Sequence, residues 1–277
     1  MKIYISCDME GTAGVCAWQQ CDPSDDSEYP IYRRYMTREV RAAIEGARAG
    51  GVRDVLVNDS HWDMRNLLWD ELPGDDRLRV ISGTRKPWSM GQGLDGGFAA
   101  AFFTGYHARA GEIATLSHTF SPETLYDVRV NGTQCGEGLL MAALAGSYGV
   151  PLVLVTGDRQ TVDEVVAAMP WCVGVAVKDA VGFSAVNSLT PLAAQDAIRS
   201  AAREAVARIP QAQPFIFAAP FELSIETVHV EQADFIELMP GFTRAGGRTV
   251  RFTAQTYPEM MRAFVAATRI GSAANTG

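Results

Sequence analysis

The sequence predicts an α/β fold: a mostly parallel sheet flanked by helices, with a smaller C-terminal α+β subdomain. Two observations carry this. Over residues 1–183, short runs rich in β-branched and aromatic residues alternate with stretches of helical periodicity, the mark of βαβ units. From residue 184 the order changes to a long helix, then strands, then a closing helix, which is an α+β arrangement. The expected division is an α/β domain over 1–183 and an α+β subdomain over 184–277.

Each element has its own signal. KIYIS (2–6) alternates apolar residues from the second position, and RDVLVN (53–58), LRVIS (78–82), AAFFTG (100–105) and PLVLVTGD (151–158) read as further strands. Between the first two of these, residues 37–51 carry apolar residues at helical spacing, and GEGLLMAALAGSYG (136–149) reads as a second helix. DVRVNGTQCGE (127–137) interrupts the rhythm. Its Asn131-Gly132 pair is a two-residue hairpin signal, so a small antiparallel excursion precedes the second helix. Thr161 to Glu164, TVDE, reads as a capping box after the strand ending at Asp158. VGVAVK (173–178) closes the alternation. Beyond it come the helix PLAAQDAIRSAAREAVARI, strands in FELSIETVHV and TVRFTAQ, and the helix PEMMRAFVAATRI. His229 is expected inside the first of those late strands, in a structural role. CDPSDDSEYP (21–30) reads as a solvated loop.

Composition narrows the function. With 277 residues, 47% hydrophobic and 20% charged, the chain has enough apolar material for a sizeable core. Its formal charge of −8, without any arginine- and lysine-rich run, argues against nucleic acid as a partner. No stretch is apolar over a membrane-spanning length and no signal peptide is evident, so the expectation is a cytoplasmic protein with no membrane partner. The 5 cysteines lack a C-x-x-C pair, which argues against a disulfide framework and against a cysteine zinc site.

The chemistry gathers at strand ends. Asp8 and Glu10 follow the first strand two positions apart, so in extended chain they project to the same side. Crowded carboxylates disfavour each other's ionisation unless a proton, a cation or bulk water lies between them. Three of the 4 histidines also follow apolar runs: His61 in VLVNDSH, His107 in FFTGYH and His118 in IATLSH. In open α/β sheets, ligands bind outside the carboxyl ends of strands, so these five side chains meet on one edge. Glu137 joins them if its helix starts over that edge. Singly, each has a plainer explanation: helix-terminus charge for the acids, a first-turn surface position for His61, hydrogen-bonded core positions for His107 and His118. Jointly they form a mixed Asp/Glu/His set suited to zinc, then manganese or cobalt. EGTAG lacks the glycine-rich phosphate-loop pattern and its acids would repel phosphate; no G-x-S-x-G elbow is present.

SCDMEG, VLVNDSH, ISGTRKPWSM, GYHARAG, LSHTF, VNGTQCGEGLLMA, PLVLVTGD and LMPG, in this order over nearly the whole chain, resemble the DppA-type D-aminopeptidases. That resemblance implies a binuclear zinc peptidase acting on short peptides or amides with N-terminal D-amino acids. It implies two zinc ions per subunit, Asp8 as the bridging carboxylate, and Glu10, His61, His107 and Glu137 as the other ligands. It makes His118 the catalytic histidine, as acid/base or as nucleophile. It also implies a homodecamer of two stacked rings, with the 184–277 subdomain serving oligomerisation and channel lining. The stretch VCAWQQCDPSDDSEYP is longer than the family pattern, beside the site, which leaves substrate choice open. The alternatives are a binuclear metal phosphoesterase and a catalytically idle metal-binding ring scaffold.

Overall fold

A computed structural model describes residues 1–274. Its main layer is a seven-stranded sheet built from β1 (Lys2–Cys7), β2 (Asp54–Asp59), β3 (Leu78–Ile81), β4 (Ala100–Tyr106), β7 (Leu152–Asp158), β8 (Val173–Gly182) and β9 (Ala185–Ser188). The order across it is β3-β2-β1-β4-β7-β8-β9, parallel throughout except for the β8–β9 hairpin. Chain order runs outward in both directions from β1, so the switch point lies between β1 and β4, where open α/β sheets form a crevice at the carboxyl edge.

Both faces of this sheet are covered, as parallel sheets require. Alternation along β1 sends Ile3, Ile5 and Cys7 to one face, where they pack with α1 (Tyr29–Ala49) and α4 (Pro191–Arg208). Tyr4 and the β4 residues Ala101 and Phe103 face the opposite way, against α2 (Glu137–Ser147) and α3 (Arg159–Ala168). α2 is apolar all round and buried through Gly146, a helix enclosed between layers. The first helix starts eight residues earlier than its periodicity suggests, at Tyr29: Pro30 occupies the first turn, and Met36, Val40 and Ile44 continue the buried stripe.

The second sheet has five antiparallel strands in the order β11-β12-β10-β5-β6. β5 (Leu125–Val130) and β6 (Thr133–Gln134) form the hairpin expected at Asn131-Gly132, whose φ angles of 51° and 80° suit the turn. β10 (Phe221–Thr227), β11 (Thr243–Arg244) and β12 (Thr249–Ala254) complete it, with α5 (Val230–Glu237) and α6 (Tyr257–Ala273) packed against it. α6 also reaches the first layer: Tyr257 Oη donates to the Leu140 carbonyl of α2 at 3.1 Å, and Phe264 shares one core with Leu140 and Leu223.

Three local expectations differ from what is observed. The step at residues 183 and 184 does not coincide with the boundary between sheets: β5 and β6 belong to the second sheet, while β9 and α4 belong to the first layer. His229 is not in a strand but exposed at the N-cap of α5, because β10 ends at Thr227. Asp158, rather than Thr161, caps α3, accepting from the Thr161 amide at 2.9 Å.

Candidate metal centre

Asp8, Glu10, His61, His107, His118 and Glu137 all meet at the carboxyl edge of the first sheet, and all are buried, 2–6% exposed. Asp8 and Glu10 follow β1, His61 follows β2 and His107 follows β4. Glu137 opens α2 just above them. His118 arrives differently. IATLS forms no strand but a loop, held by the Leu116 amide on the Phe183 carbonyl at 3.0 Å and the His118 amide on the Ala108 carbonyl at 3.1 Å.

The chain reaches this geometry through close backbone contact. The Asp8 amide donates to the Thr104 carbonyl and the Gly11 amide to the Gly105 carbonyl, both at 2.8 Å. A Cβ on Gly11 would stand 1.9 Å from the Tyr106 carbonyl oxygen, and one on Gly105 would stand 2.2 Å from that of Asp8. Glycine at 11 therefore follows from layering the acid-bearing turn directly on β4. Lys178, fully buried in β8, donates from Nζ to the Glu10 carbonyl and to the Val15 carbonyl, and the Ala13 amide donates to Glu39 Oε1 at 2.9 Å. The turn carrying the acids is thus clamped from two further elements.

Asp8 faces two ways. Its Oδ1 is 3.3 Å from His61 Nδ1, and its Oδ2 is 3.5 Å from His107 Nε2. Glu10 Oε2 is 2.9 Å from His61 Nδ1, and Glu137 Oε1 is 3.4 Å from His107 Nε2. His118 stacks flat on His107, with ring centroids 4.1 Å apart, and turns Nε2 toward Glu10 Oε1 at 3.7 Å. Each imidazole is oriented by a backbone carbonyl on its far nitrogen: Cys21 on His61 Nε2 at 2.8 Å, Ala108 on His107 Nδ1 at 3.0 Å, and Leu116 on His118 Nδ1 at 2.8 Å. Carbonyls only accept, so those nitrogens carry hydrogen, and in the neutral ring the other nitrogen is an acceptor aimed into the cluster.

Acceptor atoms from three imidazoles and three carboxylates therefore converge on one buried volume. Among the described residues, Asp8 Oδ2 and Glu10 Oε2 have no hydrogen-bond partner; the short approach of Glu10 Oε2 to His61 is an ion-pair distance, not an aligned hydrogen bond. Buried charged oxygens left so are costly unless a cation meets them. Ligand atoms lie within 4.8 Å of one another in the sets Asp8/His107/Glu137, Glu10/His107/His118 and Glu10/Cys21/His61, so the donor set fits a metal pair of the zinc, manganese or cobalt type. Cys21, set aside on sequence spacing, contributes the soft atom in the third set.

The electrostatics agree. Burial and then Glu10 push the Asp8 carboxyl well up. Burial opposes charge on Glu10 and Glu137 too, but the imidazoles outweigh it: His61 first for Glu10, His107 first for Glu137, holding both low. Burial likewise works against imidazolium at His61 and His107, yet Glu10 and Glu137 respectively overcome it and raise both well above the usual histidine range. His118 goes the other way, lowered by burial and by neighbouring His107. The cluster attracts positive charge everywhere except at His118, where burial and the neighbouring His107 favour the neutral ring.

The D-aminopeptidase family model of peptidase family M55 matches residues 1–266. The chain belongs to the D-aminopeptidase family. It is 36% identical over 274 residues to the D-aminopeptidase of Bacillus subtilis strain 168, covering 98% of this chain and 97% of that protein. A solved structure described as the Zn-dependent D-aminopeptidase DppA from Bacillus subtilis, a self-compartmentalizing protease, superposes with a TM-score of 0.93 at 34% identity, over 98% of both chains.

For a D-aminopeptidase fold, the residues that motif reading missed are mostly supports. Asp158 Oδ2 accepts from the Ala108 amide at 2.9 Å, and the Ala108 carbonyl in turn orients both His107 and the His118 backbone. An aspartate at the end of β7, the strand beside β4, was the available signal. The site opens into a cavity of about 560 Å³ whose aromatic wall includes Trp18, Trp62, Phe120 and Phe183, with Trp18 edge-on to His118 at 5.2 Å.

Proposed function

We propose that the protein is a zinc-dependent aminopeptidase that removes N-terminal D-amino acids from short peptides. One observation carries this: six acceptor side chains converge, three of them imidazoles held from behind by backbone carbonyls, in a chain of the D-aminopeptidase family. Asp8, whose two oxygens face His61 and His107, would be shared between the two metals, with Glu10 and His61 holding one and His107 and Glu137 the other. Two zinc ions held there supply Lewis-acid polarisation of the scissile carbonyl and a more acidic water. His118, neutral and lowered in pKa, takes a proton from the attacking water and returns it to the leaving amine; its Nδ1 bond to Leu116 keeps Nε2 on the reacting side. Trp18 packs edge-on against His118 and in turn meets Phe183, so both rings line the cavity beside that proton path.

The relative's description as self-compartmentalizing supports a closed oligomer here, read as a decamer, with residues 184–277 serving oligomerisation and channel lining. Five free cysteines, four of them buried, fit a reducing compartment, the cytoplasm. A phosphoesterase shares the ligand chemistry but not the family, and an idle scaffold leaves His118 without a task.

The test is paired metal analysis and kinetics on D-alanyl peptides. His118→Ala is expected to retain metal and fold while losing on the order of a hundredfold in turnover. His61→Ala and His107→Ala are expected to lose metal together with activity. A fully active His118→Ala protein, or one inactive only through metal loss, refutes the assignment.

A further inference from the structure

The cavity over the metal centre continues past α6. It shares Met64, Ser89, Val265 and Arg269 with a second cavity of about 1200 Å³. α6 forms the divide. Val265, Thr268, Arg269 and Ser272 fall on the face toward the metal centre, and Arg262, Val265 and Arg269 on the face toward the second cavity, so Arg269 stands on the ridge.

The two cavities differ in charge. Asp8, Glu10, Glu123 and Glu137 line the first, with Arg269 as the cation in its wall. Arg85, Lys86, Arg262 and Arg269 line the second, with Glu259 as the carboxylate. Lys86 is tied inward, donating to Asn58 Oδ1 and the Asp59 carbonyl, both at 2.6 Å. Arg269 donates to Thr84 Oγ1 at 3.2 Å, and among the described residues neither it nor Arg85 nor Arg262 has a carboxylate at ion-pair distance. In a chain of net charge −8, four cations against one carboxylate, with the three guanidinium groups outside ion-pair distance of it, make a local anion-attracting field. Guanidinium also matches a carboxylate in planar, two-point fashion.

We propose that this second cavity is the subsite for the free C-terminal carboxylate of the substrate, with Arg269 the first cation it meets and Arg262 and Arg85 serving longer chains. The proposal rests on the aminopeptidase reading and narrows its substrate class to short peptides with a free carboxylate. Placement suits it: Arg269 lines the same cavity as the metal-centre side chains as well as the second cavity, so a short peptide anchored at the metal centre and extending about 3.5 Å per residue along that cavity runs toward Arg269. A peptide in this orientation places its positive amino end among carboxylates and its negative end among guanidinium groups.

The experiment compares tri-D-alanine with its C-terminal carboxamide on the zinc-loaded enzyme, by kcat/KM and by calorimetric binding. The wild type is expected to favour the acid by about tenfold or more, the worth of one charge-assisted hydrogen bond. Arg269→Gln is expected to bring that ratio close to one, mostly through KM, and Arg269→Lys to restore part of it. The wild-type ratio is expected to fall as salt is raised. Hydrolysis with no preference for the acid, or a preference that survives in the Arg269→Gln/Arg262→Gln double variant, overturns the subsite and leaves the aminopeptidase reading standing. Binding that favours the acid and depends on Arg269, without hydrolysis of either compound, keeps the subsite and defeats the aminopeptidase reading.

Discussion

Adding a single methyl group at Gly105 is expected to empty the metal centre without touching any ligand side chain. The residue lies in β4 at φ 69°, and a Cβ built there stands 2.2 Å from the Asp8 carbonyl oxygen and 2.9 Å from the Asp8 carbonyl carbon. Ordinary contact begins near 3.4 Å. Relief therefore requires about 1 Å of movement between β4 and the turn that carries Asp8, and displacements of that size cost on the order of a hundredfold at a reacting centre. Left-handed backbone adds a conformational cost of about 1 kcal/mol for alanine over glycine. Gly83 isolates that second cost: its φ is 96°, and nothing lies within 4 Å of the added Cβ. Gly83→Ala should lower the melting temperature by about 2–4 °C and keep full metal content. Gly105→Ala should lower it further and lose most of its metal, read by elemental analysis after gel filtration. A Gly105→Ala protein with the metal content and melting temperature of Gly83→Ala would refute the claim that the backbone contact between Asp8 and β4 sets the centre.

The remaining predictions concern one ligand and one support. Asp8→Ala should lose more metal than Glu10→Ala or His107→Ala, since Asp8 is the carboxylate that faces both His61 and His107, the imidazoles assigned to the two metal positions; elemental analysis showing full occupancy in Asp8→Ala would remove the bridging role. Burial raises the Glu39 carboxyl to about 7 from an ordinary 4.5, so its favourable contribution is present below pH 4.5 and is lost as pH rises through 7, a change of about 3 kcal/mol. Glu39→Gln keeps an acceptor for the Ala13 amide and should be more stable than the wild type at pH 8 in denaturant titrations, with the advantage shrinking toward pH 5; a pH-independent difference would contradict this.

The first layer was legible because its strands are short and its signals local. KIYIS, VLVN and AAFFTG each carry their own periodicity, and parallel pairing with crossover helices leaves few ways to join them. The second sheet was less so. Its inner pair brings Leu223 of β10 against Val130 of β5, residues 93 positions apart, and nothing within either segment names the other. For the same reason a sequence boundary near 184 misses the way β5 and β6 cross into that sheet while α4 returns to pack on α1. His229 was misplaced by continuing an alternating pattern two residues past Thr227, where Gln232 Oε1 takes the His229 amide and starts a helix instead.

The site followed from a rule about edges rather than from any single motif. Asp8, Glu10, His61 and His107 each follow a strand whose direction the parallel sheet fixes, so their convergence is a property of topology. His118 reached the same place for another reason: no strand delivers it, and the Ala108 and Phe183 carbonyls hold its loop. What the sequence did not disclose is how the acids are kept there. Lys178 comes from a strand about 170 residues downstream to take the Glu10 and Val15 carbonyls, and Asp158 works through the Ala108 backbone. Such supports act on main-chain atoms, which every residue possesses, so residue identity at the receiving end carries no trace of them. Ligands are legible because chemistry restricts which residues can serve; the parts that position them are restricted mainly by place, and place is known only once the chain is folded.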